Sequence, residues 1–311
     1  MSPFADALTA RFGARARRDV PLGPLTTFKV GGPADWFLEA SSSDEIVEAA
    51  AEARAHGVPV TILGGGSNVL IGDRGIRGLV IHPRGGQVEA VGARQVRADA
   101  ALTINGLVRW TINHGFGGLE AWAGTPGTVG GAIYGNAHWK HVNVSAHVES
   151  VELLTPSGER VVAAVDEMGF GYDDSRLKHT GEILLTATFR VTPGHDPADL
   201  RDVARQSLAF RKRTQPLASP SAGCIFMNPD PDRERLPEGI PPSAGAYVDR
   251  AGLKGVAEGG ARVSSTHANF IVNEAHATAA DIRRLVRRCQ DAVREQFGVE
   301  LREEIVYLGE F

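Results

Sequence analysis

Apolar positions along the chain repeat with two periods, and the period separates helix from strand. Spacings of three and four residues run from about Ser43 to His56, Thr103 to His114, Pro197 to Arg213 and Thr278 to Phe297. Each stretch carries its own end signals. Ser43 leads into Asp44 and Glu45, and Gly57 stops that helix. Gly115 and Pro216 close the next two, and Thr278 with Asp281 forms a capping box. Residues 1–24 carry Arg11, Arg15, Arg17 and Arg18 and read as an entry helix followed by a turn at Pro21 to Pro24. Shorter apolar runs predict strands at Thr26–Gly32, Val58–Leu63, Val69–Ile71, Ile183–Val191, Cys224–Met227, Thr266–Val272 and Glu304–Leu308. Val88, Val91 and Val96 mark short strands, and Pro156-Ser157-Gly158 turns a hairpin between Val151–Thr155 and Arg160–Val165. The first ~80 residues therefore make a small α+β unit.

Two glycine-rich elements interrupt this pattern. In Leu63-Gly64-Gly65-Gly66-Ser67-Asn68, successive glycines lack Cβ atoms, so backbone N–H groups can approach an anion, and Ser67 and Asn68 add side-chain donors. Taken alone, such a run is also an ordinary turn between strands. The second element, Gly124-Thr125-Pro126-Gly127-Thr128-Val129-Gly130-Gly131-Ala132, shifts the reading, because two such loops flanked by apolar runs suit one long cofactor lying between them. Neither follows the G-x-G-x-x-G or G-x-x-x-x-G-K-[ST] pattern, which excludes a Rossmann dehydrogenase and a P-loop NTPase.

The 311 residues suffice for two or three packed domains, and 42% hydrophobic with 23% charged residues is a globular composition. A net charge of −4 offers no basic excess for nucleic acid. No apolar run reaches the ~18 residues of a membrane span and no signal-peptide core is present, so a cytoplasmic location is expected. Cys224 and Cys289 are far apart and suggest neither a disulfide framework nor a zinc knuckle. His138, His141 and His147 lie close together but match no metal-ligand spacing, so no metal is expected.

Seven segments occur in one order: Leu63–Asn68, Gly118-Leu119-Glu120, Gly124–Ala132, Ser221–Pro229, Ala251–Gly255, Gly259–Ser264 and His267–Asn273. Together they resemble the UDP-N-acetylenolpyruvoylglucosamine reductase (MurB) family, from about Thr26 to the C-terminus. Without a tyrosine-bearing insertion around residues 178–182, the chain is similar to the shorter of the family's two types. The resemblance implies an α+β protein with a two-part FAD-binding fold of the PCMH/vanillyl-alcohol-oxidase type. The two FAD-binding parts would be residues 1–82 and residues 83–214 with 299–311, and a separate α+β substrate-binding domain would span 215–298. It further implies non-covalent FAD, NADPH as co-substrate, alternation of NADPH and UDP-N-acetylglucosamine enolpyruvate in one pocket, and a monomer.

The resemblance also implies roles for individual residues. Gly64, Gly65, Gly66, Ser67, Asn68, Gly124, Thr125, Pro126, Gly127, Thr128, Gly130 and Gly131 would hold FAD. Cys224 stands where the family has a serine proton donor, Glu304 is the matching second acid, and Tyr172, Asn228 and His267 would touch substrate. One departure stands out. Where the family has Tyr-Arg-x-Ser, with the arginine on the substrate carboxylate, this chain reads Tyr172-Asp173-Asp174-Ser175, and Arg176 is the expected substitute. Arg211 and Lys212 could add charge near phosphates, although a solvated helix face is the more common explanation for such residues. A decayed, non-catalytic flavin or UDP-sugar binder and an oxidase of the same flavin fold are the alternative readings.

Overall fold

The computed structural model describes residues 3–140 and 142–311, and the chain divides into two compact units. One comprises the residues up to Arg18, Trp36–Gly65 and Gly78–Phe210; the other comprises Asp19–Asp35, Gly66–Arg77 and Arg211–Phe311. Both mix helices and strands, in keeping with the α+β expectation. No helix of the described residues is long and apolar enough to cross a membrane.

The first unit is built on a five-stranded antiparallel sheet in the order Arg160–Ala164, Val148–Leu154, Ile183–Arg190, Gln95–Asp99, Val88–Gly92. The helix Ile104–Asn113 buries Ile104, Leu107, Val108, Thr111 and Ile112, and these positions share one face because they recur at three and four residues. They pack with Val96, Val151, Phe189 and Ile133. Thr103 caps the helix, accepting from Gly106 N at 3.0 Å. A second core in this unit joins Phe4, Leu8 and Phe12 to Ile46, Ala49 and Ala53 of the helix Ser43–Ala55, and to Leu79 and Ile81. Val60–Ile62 runs parallel to the Leu79–Ile81 stretch.

Four elements differ from the sequence reading. Of the Thr266–Val272 run only the end is strand, Ile271–Asn273, because residues 266–270 turn, with Phe270 N donating to His267 O at 3.0 Å. The Thr26–Gly32 run is a folded loop: the buried Thr26 hydroxyl donates to Gly23 O at 3.0 Å and accepts from Val30 N at 3.2 Å, and Lys29 has φ 59°. The nearby strand is instead Pro33–Ala40. Cys224–Met227 bends at Ile225 and forms only a single bridge, Phe226 to Glu303, while Asn269 takes the other hydrogen bonds of Ile225 and Phe226. Within the second glycine element, Val129–Tyr134 is a short helix, which Gly130 and Gly131 had made hard to read.

The second unit packs the helix Ala279–Phe297 through Ile282, Leu285, Val286, Cys289 and Val293 against Phe28, Leu70, Phe226, Tyr247 and Ile271. Its small antiparallel sheet runs Ala257–Glu258, Ala261–Val263, Ile271–Asn273. Val306–Leu308 pairs in parallel with Val69–Ile71. The N-terminus of the long helix is capped twice. Thr278 and Asp281 exchange the expected capping-box bonds, each 3.0 Å, and the Asp73 carboxylate accepts from Ala279 N at 2.8 Å and Ala280 N at 3.0 Å.

Asp73 therefore satisfies two donors that a helix leaves open, and its charge opposes the positive end of the helix dipole. Replacing Asp73 with Ala should cost about 1–2 kcal/mol. Native-state hydrogen exchange should then speed up about 5- to 30-fold for the amides of Ala279–Phe297. Unchanged protection there would show that the Thr278 box caps the helix alone.

Candidate active site

In the first unit the two glycine elements meet backbone to backbone. A Cβ on Gly65 would lie 2.8 Å from Gly127 Cα, and one on Gly64 would lie 2.7 Å from Thr128 Oγ1. Side chains at either place would push the loops apart. The second loop is anchored from behind: Gly124 N donates to Asn105 Oδ1 at 2.7 Å, Asn105 Nδ2 donates to Thr125 O at 3.2 Å, and Thr103 bridges Thr128. Pro126 precedes Gly127, whose φ of 97° only glycine adopts without strain. Gly130 N donates to Ala100 O at 2.9 Å, and Thr128 Oγ1 accepts from Gly131 N at 3.2 Å.

The first loop keeps its donors open. Gly66 and Asn68 spend their carbonyls on Thr27 N and Val306 N, at 3.0 and 2.9 Å. Among the described residues, no backbone N–H from Gly64 through Gly65, Gly66, Ser67 and Asn68 has a protein acceptor. A row of donors without acceptors, on a loop with few Cβ atoms, is what a diphosphate demands, so these residues fit an FAD. Asn68 uses its side chain elsewhere, donating to Glu304 O at 3.1 Å.

Beneath this loop sits a residue that the sequence reading did not single out. His82 is 4% exposed, and its Nδ1 lies 2.6 Å from Leu63 O, so Nδ1 carries the proton and donates. Burial lowers the ring's pKa; the Leu63 contact and Glu39 act in the opposite sense, and Arg84 adds to the lowering. The imidazole is neutral in the folded protein.

Also in the first unit, Tyr172 is exposed and packs its ring on His138, with centroids 5.5 Å apart. Asn136, buried with φ 43°, clamps this segment by donating to Gly171 O at 2.7 Å. Arg176 forms a fork with Glu182, Nε to Oε2 at 2.8 Å and Nη2 to Oε1 at 2.6 Å. Lys178 lies 3.0 Å from the Asp173 carboxylate. His147 packs edge-on to Trp122, with centroids 6.4 Å apart, and His141 lies outside the described residues.

In the second unit Cys224, Glu304, Asn228 and His267 gather around one buried amide. Asn269 accepts from Phe226 N at 2.9 Å through Oδ1 and donates to Phe226 O at 2.8 Å through Nδ2. Its carbonyl accepts from Ile225 N at 2.9 Å, and its side chain also reaches the Cys224 thiol. Glu304 N donates to Ile225 O at 2.8 Å, which sets Glu304 beside the cysteine. Burial first, and then the Glu304 carboxylate, push the Cys224 pKa far up, while Asn269 pulls it down. The thiol therefore stays protonated across the physiological range. His267 Nδ1 accepts from Asn269 N at 3.2 Å, and burial and Lys254 lower its pKa. Asn228 Oδ1 accepts from Ala244 N at 3.0 Å, at the start of the helix Ala244–Arg250. A Cβ on the next residue, Gly245, would lie 3.2 Å from His267 Cε1, so Asn228 and His267 flank the same turn.

Asn105, Asn136, Asn269 and His82 each hold a loop from a distant place in the sequence. No local motif marks them, although a polar residue within an apolar helical or strand pattern was a usable signal. Arg211 is buried, unlike the solvated residue that a helix-face reading predicts.

Residues 215–308 match the family described as UDP-N-acetylenolpyruvoylglucosamine reductase, C-terminal domain, and residues 34–164 match the FAD binding domain family. The UDP-N-acetylenolpyruvoylglucosamine reductase of Gloeobacter violaceus is 40% identical over 293 residues, 93% of this chain and 95% of its own. That of Chlamydia abortus is 37% identical, with 95% of each covered. The crystal structure of UDP-N-acetylenolpyruvylglucosamine reductase (MurB) from Thermus caldophilus aligns with a TM-score of 0.77 at 32% identity, covering 94% of this chain and 99% of that one.

The His82 geometry makes a pH prediction. An unfolded histidine titrates near 6.5, whereas the folded ring resists protonation. The unfolded chain thus binds more protons just below that value, so this contribution to stability is present above about 6.5 and is lost as pH falls. In H82Q, denaturation midpoints measured from pH 7.5 down to 5.5 should vary less steeply, by up to about one proton. An unchanged slope would place the coupling on other histidines.

Proposed function

Because the chain belongs to the UDP-N-acetylenolpyruvoylglucosamine reductase family, we propose that it reduces the enolpyruvyl ether of UDP-N-acetylglucosamine to the lactyl ether of UDP-N-acetylmuramate. NADPH is the reductant and FAD the cofactor, in the synthesis of peptidoglycan precursors. The observation that carries this reading is the placement of Cys224 beside Glu304, fixed by the Glu304 N to Ile225 O bond at 2.8 Å and by the Asn269 side chain on Phe226.

Reduction of the alkene requires a hydride on the carbon remote from the carboxylate and a proton on the adjacent carbon. Bound FAD supplies the hydride after taking one from NADPH. The protein's part is to hold the cofactor, orient the substrate and deliver the proton. The N–H row from Gly64 to Asn68 receives the diphosphate, and the Gly124–Gly131 loop packs behind it. Cys224 Sγ–H donates the proton as charge builds toward the carboxylate, leaving a thiolate that Asn269 stabilises and solvent reprotonates. Glu304 is the second acid, and it supports the enolate-like oxygen by donating from its carboxylic acid form. Asn228 and His267 bind the uridine diphosphate part, and Tyr172 binds near the reacting end.

FAD-binding parts at 1–82 and 83–214 with 299–311, and a substrate part at 215–298, belong to the same reading; the matched ranges 34–164 and 215–308 support the boundary near 214, although the second runs on through 308. Pairing of Val306–Leu308 with Val69–Ile71 supports the return of the chain end to the flavin part. NADPH and substrate use one pocket in turn, as a monomer in the cytoplasm, where both soluble nucleotides are available. Sedimentation of the holoprotein at one-chain mass is the expected result.

The deciding experiment begins with purified yellow protein, reduced anaerobically by one equivalent of NADPH and then mixed with UDP-N-acetylglucosamine enolpyruvate. Return of the oxidised flavin spectrum is expected. A protein that takes up no FAD, or whose reduced flavin ignores this substrate, would overturn the reading. In C224A, reduction by NADPH should persist while reoxidation slows about 10²–10⁴-fold, and C224S should recover most of it. Full reoxidation by C224A would remove Cys224 as proton donor.

A further inference from the structure

The segment after Tyr172 puts an acidic residue where the proposed reaction needs a cation, and it contains two basic side chains that could supply one. Arg176 is already engaged. Its fork closes on Glu182, whose side chain is 6% exposed, and Nη1 also reaches toward Glu167 O. Withdrawing that guanidinium would leave a buried carboxylate unpaired, so the fork resists exchange with a passing ligand. Asp174 is likewise occupied by His179, at 2.9 Å.

Lys178 is held differently. Its ammonium lies 3.0 Å from Asp173 Oδ2, also donates to Asp173 O, and rests 5.6 Å from the centre of the Tyr134 ring. Three donors on a point charge, with two directed at one residue, leave one for an incoming acceptor. The pair is largely shielded, with side chains 19% and 10% exposed, so a new anion would meet this cation with little screening. Asp173 is fixed in place: its φ is 51°, and a Cβ on Gly135 would come within 3.1 Å of its Oδ1. Tyr134 and Gly135 close the short helix that begins after Thr128, so this cation sits one short helix away from the second glycine loop.

Resting on the reductase reading above, we propose that Lys178 is the cation that receives the carboxylate of the enolpyruvyl substrate, with Asp173 as its resident counter-ion and Arg176 as a positioning residue that braces the loop. Asp173 holds the ammonium in place while the substrate is absent. The substrate carboxylate then takes the open N–H. Burial raises the pKa of Asp173, and the nearby Lys178 ammonium offsets this only in part.

The test titrates oxidised holoenzyme with two ligands, followed by flavin absorbance: UDP-N-acetylglucosamine enolpyruvate, and UDP-N-acetylglucosamine, which lacks the carboxylate. K178M should weaken the first about ten- to a hundredfold and leave the second within about threefold. K178R should keep most of the affinity for the first. The double variant D173N/K178M removes both charges together, preserves neutrality of the site and should show the same selective loss; D173N alone should bind the carboxylate ligand at least as well as the parent. Equal weakening of both ligands by K178M would assign Lys178 a structural role and overturn the proposal. So would no weakening of either, or a selective loss in R176M that K178M lacks. These outcomes are read against a parent protein that binds and turns over the substrate; a parent that does neither overturns the reductase reading and this assignment with it.

Discussion

Gly65 lies so close to Gly127 that it tolerates no Cβ, Gly127 itself has a φ of 97° that favours glycine, and much of the first unit follows from that contact. Backbone touching backbone fixes two loops far apart in sequence without any side chain that could change rotamer. The second loop is held in turn by Asn105 and by the Thr103–Thr128 bridge, both at the start of the helix Ile104–Asn113. That helix is seated by a stripe of apolar side chains on the five-stranded sheet. Core packing is thus transmitted through one amide and one bridge to a row of backbone donors, which is rigid before any anion arrives. Such preorganisation lets the loop bind charge without reordering itself.

The second unit does something different: it holds a thiol in its protonated form. A cysteine in water is a modest acid that loses its proton a little above neutrality. Here burial and a neighbouring carboxylate move it out of that range, and a single amide moderates the effect. Asn269 serves both purposes, because the side chain that bonds Phe226 on both its N–H and its carbonyl also meets the thiol. One residue thus braces the segment and tempers the acidity that burial and Glu304 set.

Elements with local signals were readable from the sequence. Ser, Thr and Asp caps and terminal glycines marked the helices Ser43–Ala55, Ile104–Asn113 and Ala279–Phe297 nearly to the residue, because capping is satisfied within a few positions. The hairpin around Pro156-Ser157-Gly158 was readable for the same reason. Thr26–Gly32 was not, since its alternation suits a strand while a buried hydroxyl folds it into a loop. Both glycine elements could be located, but their mutual contact is a tertiary fact. The pairing of Lys178 with Asp173 and of Arg176 with Glu182 had no signature either: side chains five and six residues apart can pair in several ways, and burial chooses among them.

The chain has two cysteines, Cys224 and Cys289, and neither is poised to ionise. Burial raises Cys289 to about 12, and Cys224 lies higher still. Peroxide, disulfides and carbon electrophiles react with thiolate, and very little thiolate is available at either site. A cysteine in a proton-donating position would ordinarily expose an enzyme to oxidative inactivation. In this protein the same environment that retains the proton at each cysteine withholds the nucleophile, so neither resting sulfur is a redox liability.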